Sequence, residues 1–239
     1  MIYFNGAALE AVAPVKIEDI RVSPIQLAAT AREMPVIWGS RFVRMTGGKR
    51  TIDISFGLLT NDHAARQAQL KAITQWARSD SPARLTLPYH DGVYLEAICT
   101  ALPSPSTRQW WENLTLRFET FDNPYFTSVA EKHGPCNQAL TILGDAPPIM
   151  RIEAAIDTEP VGGLQWAEGG HVMQFSTIPT GNLVIDLTEG VQTAAVDGVS
   201  IMQYFQIAST YQYSSFIVPH TGSMTIEGQG TVYWRERWE

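Results

Sequence analysis

Cysteine is scarce: the 239 residues hold Cys99 and Cys136 and no others. Two thiols cannot supply the disulfide framework on which small secreted scaffolds rely, so the chain reads as one made in a reducing compartment. Charge is thin as well, with Asp, Glu, Lys and Arg making up 17% of the sequence. Low charge in a soluble protein hints at surface covered by partners. Positive charge nearly vanishes from the second half. Residues 133–239 carry 3 Lys+Arg against 11 Asp+Glu, whereas residues 1–132 carry 14 against 13. Phosphate contacts need Lys and Arg, so the acidic half is a poor nucleic-acid surface. No apolar run approaches the length of a membrane span. The opening stretch MIYFNGAALEAV has neither the basic start nor the long apolar centre of a signal peptide. The expectation is a soluble protein made in the cytoplasm, without membrane insertion.

Signatures of chemistry are missing too. Of His63, His90, His133, His171 and His220, no two stand at His-x-x-x-His spacing, and neither cysteine sits in Cys-x-x-Cys. His90-Asp91 resembles a fragment of a metal-hydrolase site and defines a hydrolase reading. It falls, however, at an Asp-Gly turn, where Asp is expected for backbone reasons. Gly-x-Ser-x-Gly and Ser-x-x-Lys are absent. So are the phosphate loops, and Gly162-Gly163 and Gly169-Gly170 read as turns. Cys99, in VYLEAICTAL, reads as a packed core thiol. Cys136 lies three residues after His133 and reads as a loop thiol without an oriented base. Glu153, Asp157 and Glu159 lack the Asp-x-Asp-x-Asp-Gly pattern of a calcium loop and read as acidic surface. No catalytic residue, cofactor or metal ligand is expected.

What the sequence does contain is periodicity. Hydrophobic residues make up 45% of it, and its length gives a prior of two domains. Asn5-Gly6 marks an opening hairpin. Thr46-Gly47-Gly48 is a turn flanked by Arg41, Arg44, Lys49 and Arg50. That basic tip either protects an edge or touches an acidic partner or passing DNA. In RTIDISFGLL, Ile52, Ile54 and Phe56 alternate on one face, as in a half-buried strand. One segment breaks this pattern. NDHAARQAQLKAITQWARSDSP, Asn61 to Pro82, begins with a capping Asn61 or Asp62 and is rich in helix formers. Its Leu70, Ile73 and Trp76 recur at helical spacing, which predicts one long helix over about residues 62–80. Asp91-Gly92 predicts another hairpin, and Leu114, Leu116 and Phe118 another strand. Periodicity fades over Asp122 to Leu140, the candidate domain boundary. Beyond it come short alternating runs: IMRIEAAI, HVMQFSTI, NLVIDL, VQTAAV, SFIVP, GSMTIEG and TVYWRER. Such spacing suggests a β-sandwich.

Seven tryptophans, Trp38, Trp76, Trp110, Trp111, Trp166, Trp234 and Trp238, complete the inventory. Core packing is the expected place for most. An alternative function attaches to Trp166, Tyr211 and Tyr213, which on an exposed sandwich face would stack on host-surface glycans and make the second half a carbohydrate-binding module.

The order of these pieces resembles one family. MIYFNGAAL, an irregular strand, a basic hairpin, the helix running into AITQWARSDSPARLTLPYHDGVYLEAICTAL, and LTLRFETFDNPYF together look like the N-terminal domain of siphophage distal tail proteins. ILGDAPPIMRIEA, GNLVIDL, FIVPHTGSMTIEG and TVYWRERW are similar to their C-terminal galectin-like or carbohydrate-module-like sandwich. The resemblance implies a mainly β chain. Residues 1–132 would form a tail-tube-like sandwich or split barrel with one helix, and residues 133–239 a galectin-like sandwich. It also implies a structural, non-enzymatic protein of the virion, at the tip of the phage (or prophage) tail. Typically six copies close into a ring through the N-terminal domain, with the C-terminal domain outside. The implied partners are other copies of the chain, the tail tube, the tape-measure protein and tail-spike or receptor-binding proteins. DNA passes the lumen without specific binding.

Overall fold

The computed structural model describes residues 1–33, 40–60, 62–103, 114–161, 163–188, 191–206 and 216–239, and of residues 27–33 and 40–47 the backbone course. The chain is mainly β and divides into two compact units, Met1–Phe126 with Glu239, and Thr127–Trp238.

In the first unit, β1 (Tyr3–Phe4) and β2 (Ala7–Ala8) form the opening hairpin across Asn5-Gly6. Both turn residues have positive φ, +49° and +80°, the conformation that selects Asn-Gly for a tight hairpin. A single helical turn, α1 (Leu9–Val12), precedes β3 (Val15–Val22). Among the described residues, strands β4 (Leu27–Glu33) and β5 (Ser40–Gly47) pair with each other and with no third strand. Then come β6 (Thr51–Leu58), α2 (His63–Ala77), β7 (Ala83–Thr86), β8 (Val93–Ala101) and β9 (Leu114–Thr120). Apart from the β4–β5 hairpin, the strands make one antiparallel sheet in the order β3-β6-β9-β8-β7-β1-β2.

The period-two reading holds in this sheet. Ile52, Ile54 and Phe56 of β6, and Leu114, Leu116 and Phe118 of β9, are buried in register. The helix starts where the sequence places it: Asp62 is the N-cap, its carboxylate accepting from the Ala65 N–H at 2.8 Å. It ends at Ala77, short of the expected residue 80, because Arg78 is already extended. Leu70, Ile73, Trp76 and Ala77 are its buried face. Trp76 packs edge-on against Phe4 (5.7 Å between centroids) and Phe118 (6.2 Å), and its indole N–H donates to the Ala7 carbonyl at 2.9 Å. Each aromatic pair contributes about 0.5–1.5 kcal/mol beyond its buried area. The helix is thereby pinned over the centre of the sheet.

The second unit begins within β10 (Phe126–Ser128) and continues with β11 (Lys132–Pro135), β12 (Ala139–Ile142), β13 (Ala146–Ile156), β14 (Leu164–Glu168), β15 (His171–Phe175), β16 (Gly181–Asp186), β17 (Thr193–Val196), β18 (Val199–Ser200), β19 (Gly222–Thr225) and β20 (Thr231–Trp238). One antiparallel layer runs β11-β20-β13-β16-β17-β18. The other contains the pairs β12–β19 and β14–β15, linked by a bridge between Ala167 and Glu227. Ile152, Ile185, Val232 and Trp234 from the first layer meet Leu140, Met224, Trp166, Met173 and Phe175 from the second in one apolar core. This is a β-sandwich.

The stretch Pro179 to Ser200 is a pair of hairpins within the first layer. Leu183 faces Val196 and Ile185 faces Ala194 on the core side, and Asp197-Gly198 turns the chain with φ of +47° and +79°. The run SFIVP is the exception among the expected strands. Its described residues, 216–219, are irregular, although Ile217 is buried. Alternation alone cannot distinguish a strand from a loop that tucks every second side chain into the core.

Candidate functional site

The histidines do not converge. His63 opens α2 and His133 lies on β11, 5.8 Å from the Tyr233 ring. His90 occupies the turn between β7 and β8, stacked on Phe126 at 4.4 Å, with Asp91 exposed beside it. His171 starts β15, and His220 precedes β19. Among the described residues no three His, Cys, Asp or Glu side chains come together as a metal cage would require.

Cys136 lies in the turn after β11, as a loop thiol would, and Cys99 is less buried than a packed core thiol. Cys136 belongs to the sandwich core, whereas Cys99 on β8 is half-buried, its thiol 3.4 Å from the Ala101 carbonyl. Burial raises the pKa of both, which keeps them as poorly nucleophilic thiols. A register shift in the β8–β9 ladder between Cys99 and Ala101 accounts for the exposure of Cys99, since a bulge turns a side chain off its alternating face.

Tryptophan 166 does not supply a sugar platform. It is wholly buried, and its indole N–H donates to the Gln229 carbonyl at 2.8 Å. Tyr211, Tyr213, Trp38, Trp110 and Trp111 lie outside the described residues, as do Gly162 and the candidate cap Asn61. Half of the expected basic tip is engaged internally. Lys49 pairs with Glu119 at 2.6 Å, and Arg50 is buried with its guanidinium 5.0 Å from the Phe126 ring centroid. The side chains of Arg41 and Arg44 are outside the description.

Charge in the second unit has its own arrangement, which the sequence did not disclose. Arg151 on β13 makes two contacts to Glu131, at 2.6 and 3.0 Å, and one to Glu153 at 2.6 Å. Arg235 approaches the same Glu131 at 3.5 Å, and Arg151 lies 4.7 Å over Tyr233. Arg151 holds the Glu131 carboxyl below the ordinary carboxylate range, Arg235 adding to the effect. Arg235 also donates to the Val129 carbonyl, and Arg237 to that of Pro147. These three arginines are the only cations of residues 133–239, and each is engaged within its own unit. Lys132, the other Lys or Arg of this unit, pairs with Glu236 at 2.6 Å. The features that the described residues leave as candidates are sheet edges and hairpins.

No protein-family model matches the sequence, and no curated protein does. Among solved structures, the SPP1 Dit (gp 19.1) protein, a paradigm of the hub adsorption apparatus in phages infecting Gram-positive bacteria, superimposes over 100% of this chain and 98% of its own, with a TM-score of 0.76 at 13% identity. The fold is the Dit fold. Two phage P2 baseplate structures, in the activated conformation with Ca and with Sr, align at TM-scores of 0.43 and 8% identity, covering 94% and 92% of this chain and 90% and 89% of theirs.

Within this Dit fold the edges are identifiable from strand order. In the first unit β3 is a terminal strand whose Lys16, Glu18, Asp19 and Arg21 are exposed, and it pairs on one side with β6. Alternating charges of both signs on an edge discourage indiscriminate strand pairing. The β4–β5 hairpin joins no larger sheet among the described residues. A lone two-stranded ribbon is marginal in water, so such a hairpin needs a surface to lie on.

Proposed function

We propose that the chain is a structural distal tail protein of a phage or prophage virion, joining the tail tube to the tail-tip or receptor-binding apparatus. The observation that carries this reading is the end-to-end fold match to SPP1 Dit, with a TM-score of 0.76 over 100% of the chain. The working parts are its edges. Copies associate head to tail through two different patches, and the rotation closes after about six copies, as the family resemblance implies. The first unit forms the ring wall and the second decorates its exterior. Further contacts go to the tube, the tape-measure protein and receptor-binding proteins, with DNA passing through the lumen unread. No reaction is assigned to the chain.

The acidic balance of the second unit and its engaged arginines fit an outer decoration that holds no nucleic acid. In the described residues no helix is long and apolar enough to cross a membrane. The test is native mass spectrometry of the full chain over a concentration series, with negative-stain imaging, alone and with its tail-tube partner. A closed ring of one defined copy number is expected. A monomer at every concentration, with and without the partner, overturns the reading.

A further inference from the structure

We propose that His220 and Glu168 form a proton-operated clip that fastens the chain ahead of β19 to the β14–β15 hairpin. The two residues are 52 positions apart in sequence and meet in space within the second unit. Glu168 is the last residue of β14, directly before the Gly169-Gly170 turn, and His220 ends the irregular stretch that leads into β19.

The argument is a proton count. Nδ1 of His220 lies 2.9 Å from the Thr221 carbonyl oxygen, and Nε2 lies 3.1 Å from Oε1 of Glu168. A backbone carbonyl and an ionised carboxylate only accept hydrogen bonds. A neutral imidazole has a single N–H and can satisfy one of them. Both contacts are hydrogen bonds only when the pair holds one proton more than a neutral histidine beside an ionised glutamate. Closing the clip therefore takes up a proton, and opening it releases one.

The surroundings favour the closed form. Glu168 is largely shielded, with 10% of its side chain exposed, whereas His220 is 48% exposed and reached by solvent protons. The contact with Thr221, then that with Glu168, raise the pKa of His220 above the ordinary histidine value, against a small opposing effect of burial. The other charged groups nearby are His171, the cross-strand neighbour of Glu168 on β15, and Glu227, in the segment bridged to Ala167. The sign follows from linkage. A folded-state pKa above the unfolded one means that the stabilisation is complete below about pH 6.5 and is lost as pH rises through the raised value. Mild acid closes the clip and alkali opens it. What it controls is the surface presented by residues 216–222, where Val218 is exposed between the buried Ile217 and Pro219.

The test is a nitrogen-detected NMR titration of the histidine rings in the full chain. His220 is expected to keep both nitrogens protonated above the ordinary histidine value of about 6.5. E168Q is expected to shift its titration down, and H171Q to leave it in place. Amide exchange across 216–222, corrected for intrinsic rates, should rise with pH in the wild type and lose that dependence in H220Q. A His220 that titrates at or below the ordinary histidine value overturns the proposal. So does a titration that E168Q leaves unmoved, or a rise that disappears in H171Q. Were E168Q not to fold, the wild-type tautomer pattern alone decides: one bare ring nitrogen at pH 6 rules the clip out.

Discussion

Replacing Gly228 with alanine tests how tightly the sandwich is built around Trp166. Gly228 has φ of +148°, and a Cβ placed on it would lie 2.4 Å from Cδ1 of Trp166 and 2.9 Å from both Cγ and Nε1. The indole is fully buried and tethered at Nε1 to the Gln229 carbonyl, so it has no free direction in which to move. Three effects combine. A positive φ costs a non-glycine residue about 1–2 kcal/mol. Overpacking a filled core costs about 1–3 kcal/mol. Weakening the buried indole hydrogen bond costs about 1 kcal/mol more. The expected loss is thus about 3–6 kcal/mol, a large share of the 5–15 kcal/mol typical of a folded domain. Gly198 is the control, with φ of +79° and open space around its Cβ position, so G198A carries the backbone cost alone. The two units make a single unfolding free energy ill-defined, so the assay is hydrogen exchange read on β14, β15, β19 and β20 in the full chain. Protection there should fall by roughly 30-fold or more beyond the fall in G198A, at tenfold for each 1.4 kcal/mol. In a Trp166→Leu background the clash is gone, and the cost of G228A should drop to that of G198A. Equal losses in G228A and G198A, or a cost indifferent to residue 166, would refute the reasoning.

Other consequences follow from the same geometry. Asp62→Ala removes the cap on α2 and should cost about 1 kcal/mol, read as a lower urea midpoint of the first unit, with Asn and Ser restoring most of it. Ile73→Ala leaves a hole under the helix at a fully buried position and should cost about 2–5 kcal/mol by the same measurement. Iodoacetamide at pH 7.5 should label Cys99 before Cys136 and both slowly, because burial disfavours each thiolate; peptide mass spectrometry gives the order. Glu131→Gln frees two partly exposed arginines at once and should cost the second unit about 1–2 kcal/mol. The Glu131 pKa is lowered in the folded chain, so its contribution is present above the ordinary glutamate pKa of about 4.3 and fades as pH falls through the folded value. The variant should show less acid sensitivity than the wild type.

Local repeats were legible in the sequence, and distant pairings were not. Ile52, Ile54 and Phe56 announce a buried strand face because a period of two is a property of the strand itself. Leu70, Ile73 and Trp76 do the same for the helix. Asn5-Gly6 was readable as a turn because its φ values exclude most other residues. The short strands β11, β12 and β14 escaped notice. Each is 4 or 5 residues long, and Gly134 and Pro135 make β11 look like a loop. Cys99 was misplaced because one bulge reverses the side a residue faces, and nothing within a few residues signals it; the burial of Cys136 in its turn depends on distant strands. The cluster of Glu131, Arg151 and Arg235 could not have been assembled from spacing, since its members meet through the pairing of both β13 and β11 with β20. One clue was available: a half-chain with three arginines and eleven carboxylates gives each arginine several possible partners and little reason to remain free.

That clue bears on how such a chain can associate. A surface with its cations engaged and its net charge negative gains little from electrostatic docking onto copies of itself, since like charges repel across a shared boundary. If copies associate as proposed, attraction that does not depend on charge would come from backbone groups. Unpaired backbone donors and acceptors on edge strands meet that requirement, as do hairpins that lack a third strand. Both lie in the first unit, at β3 and at β4–β5, where Lys, Arg, Asp and Glu are nearly balanced. Adding salt separates the two possibilities. A ring closed by backbone pairing keeps its copy number from low to high ionic strength, whereas one closed by opposite charges comes apart as the screening length falls from about 10 Å at 0.1 M to about 3 Å at 1 M.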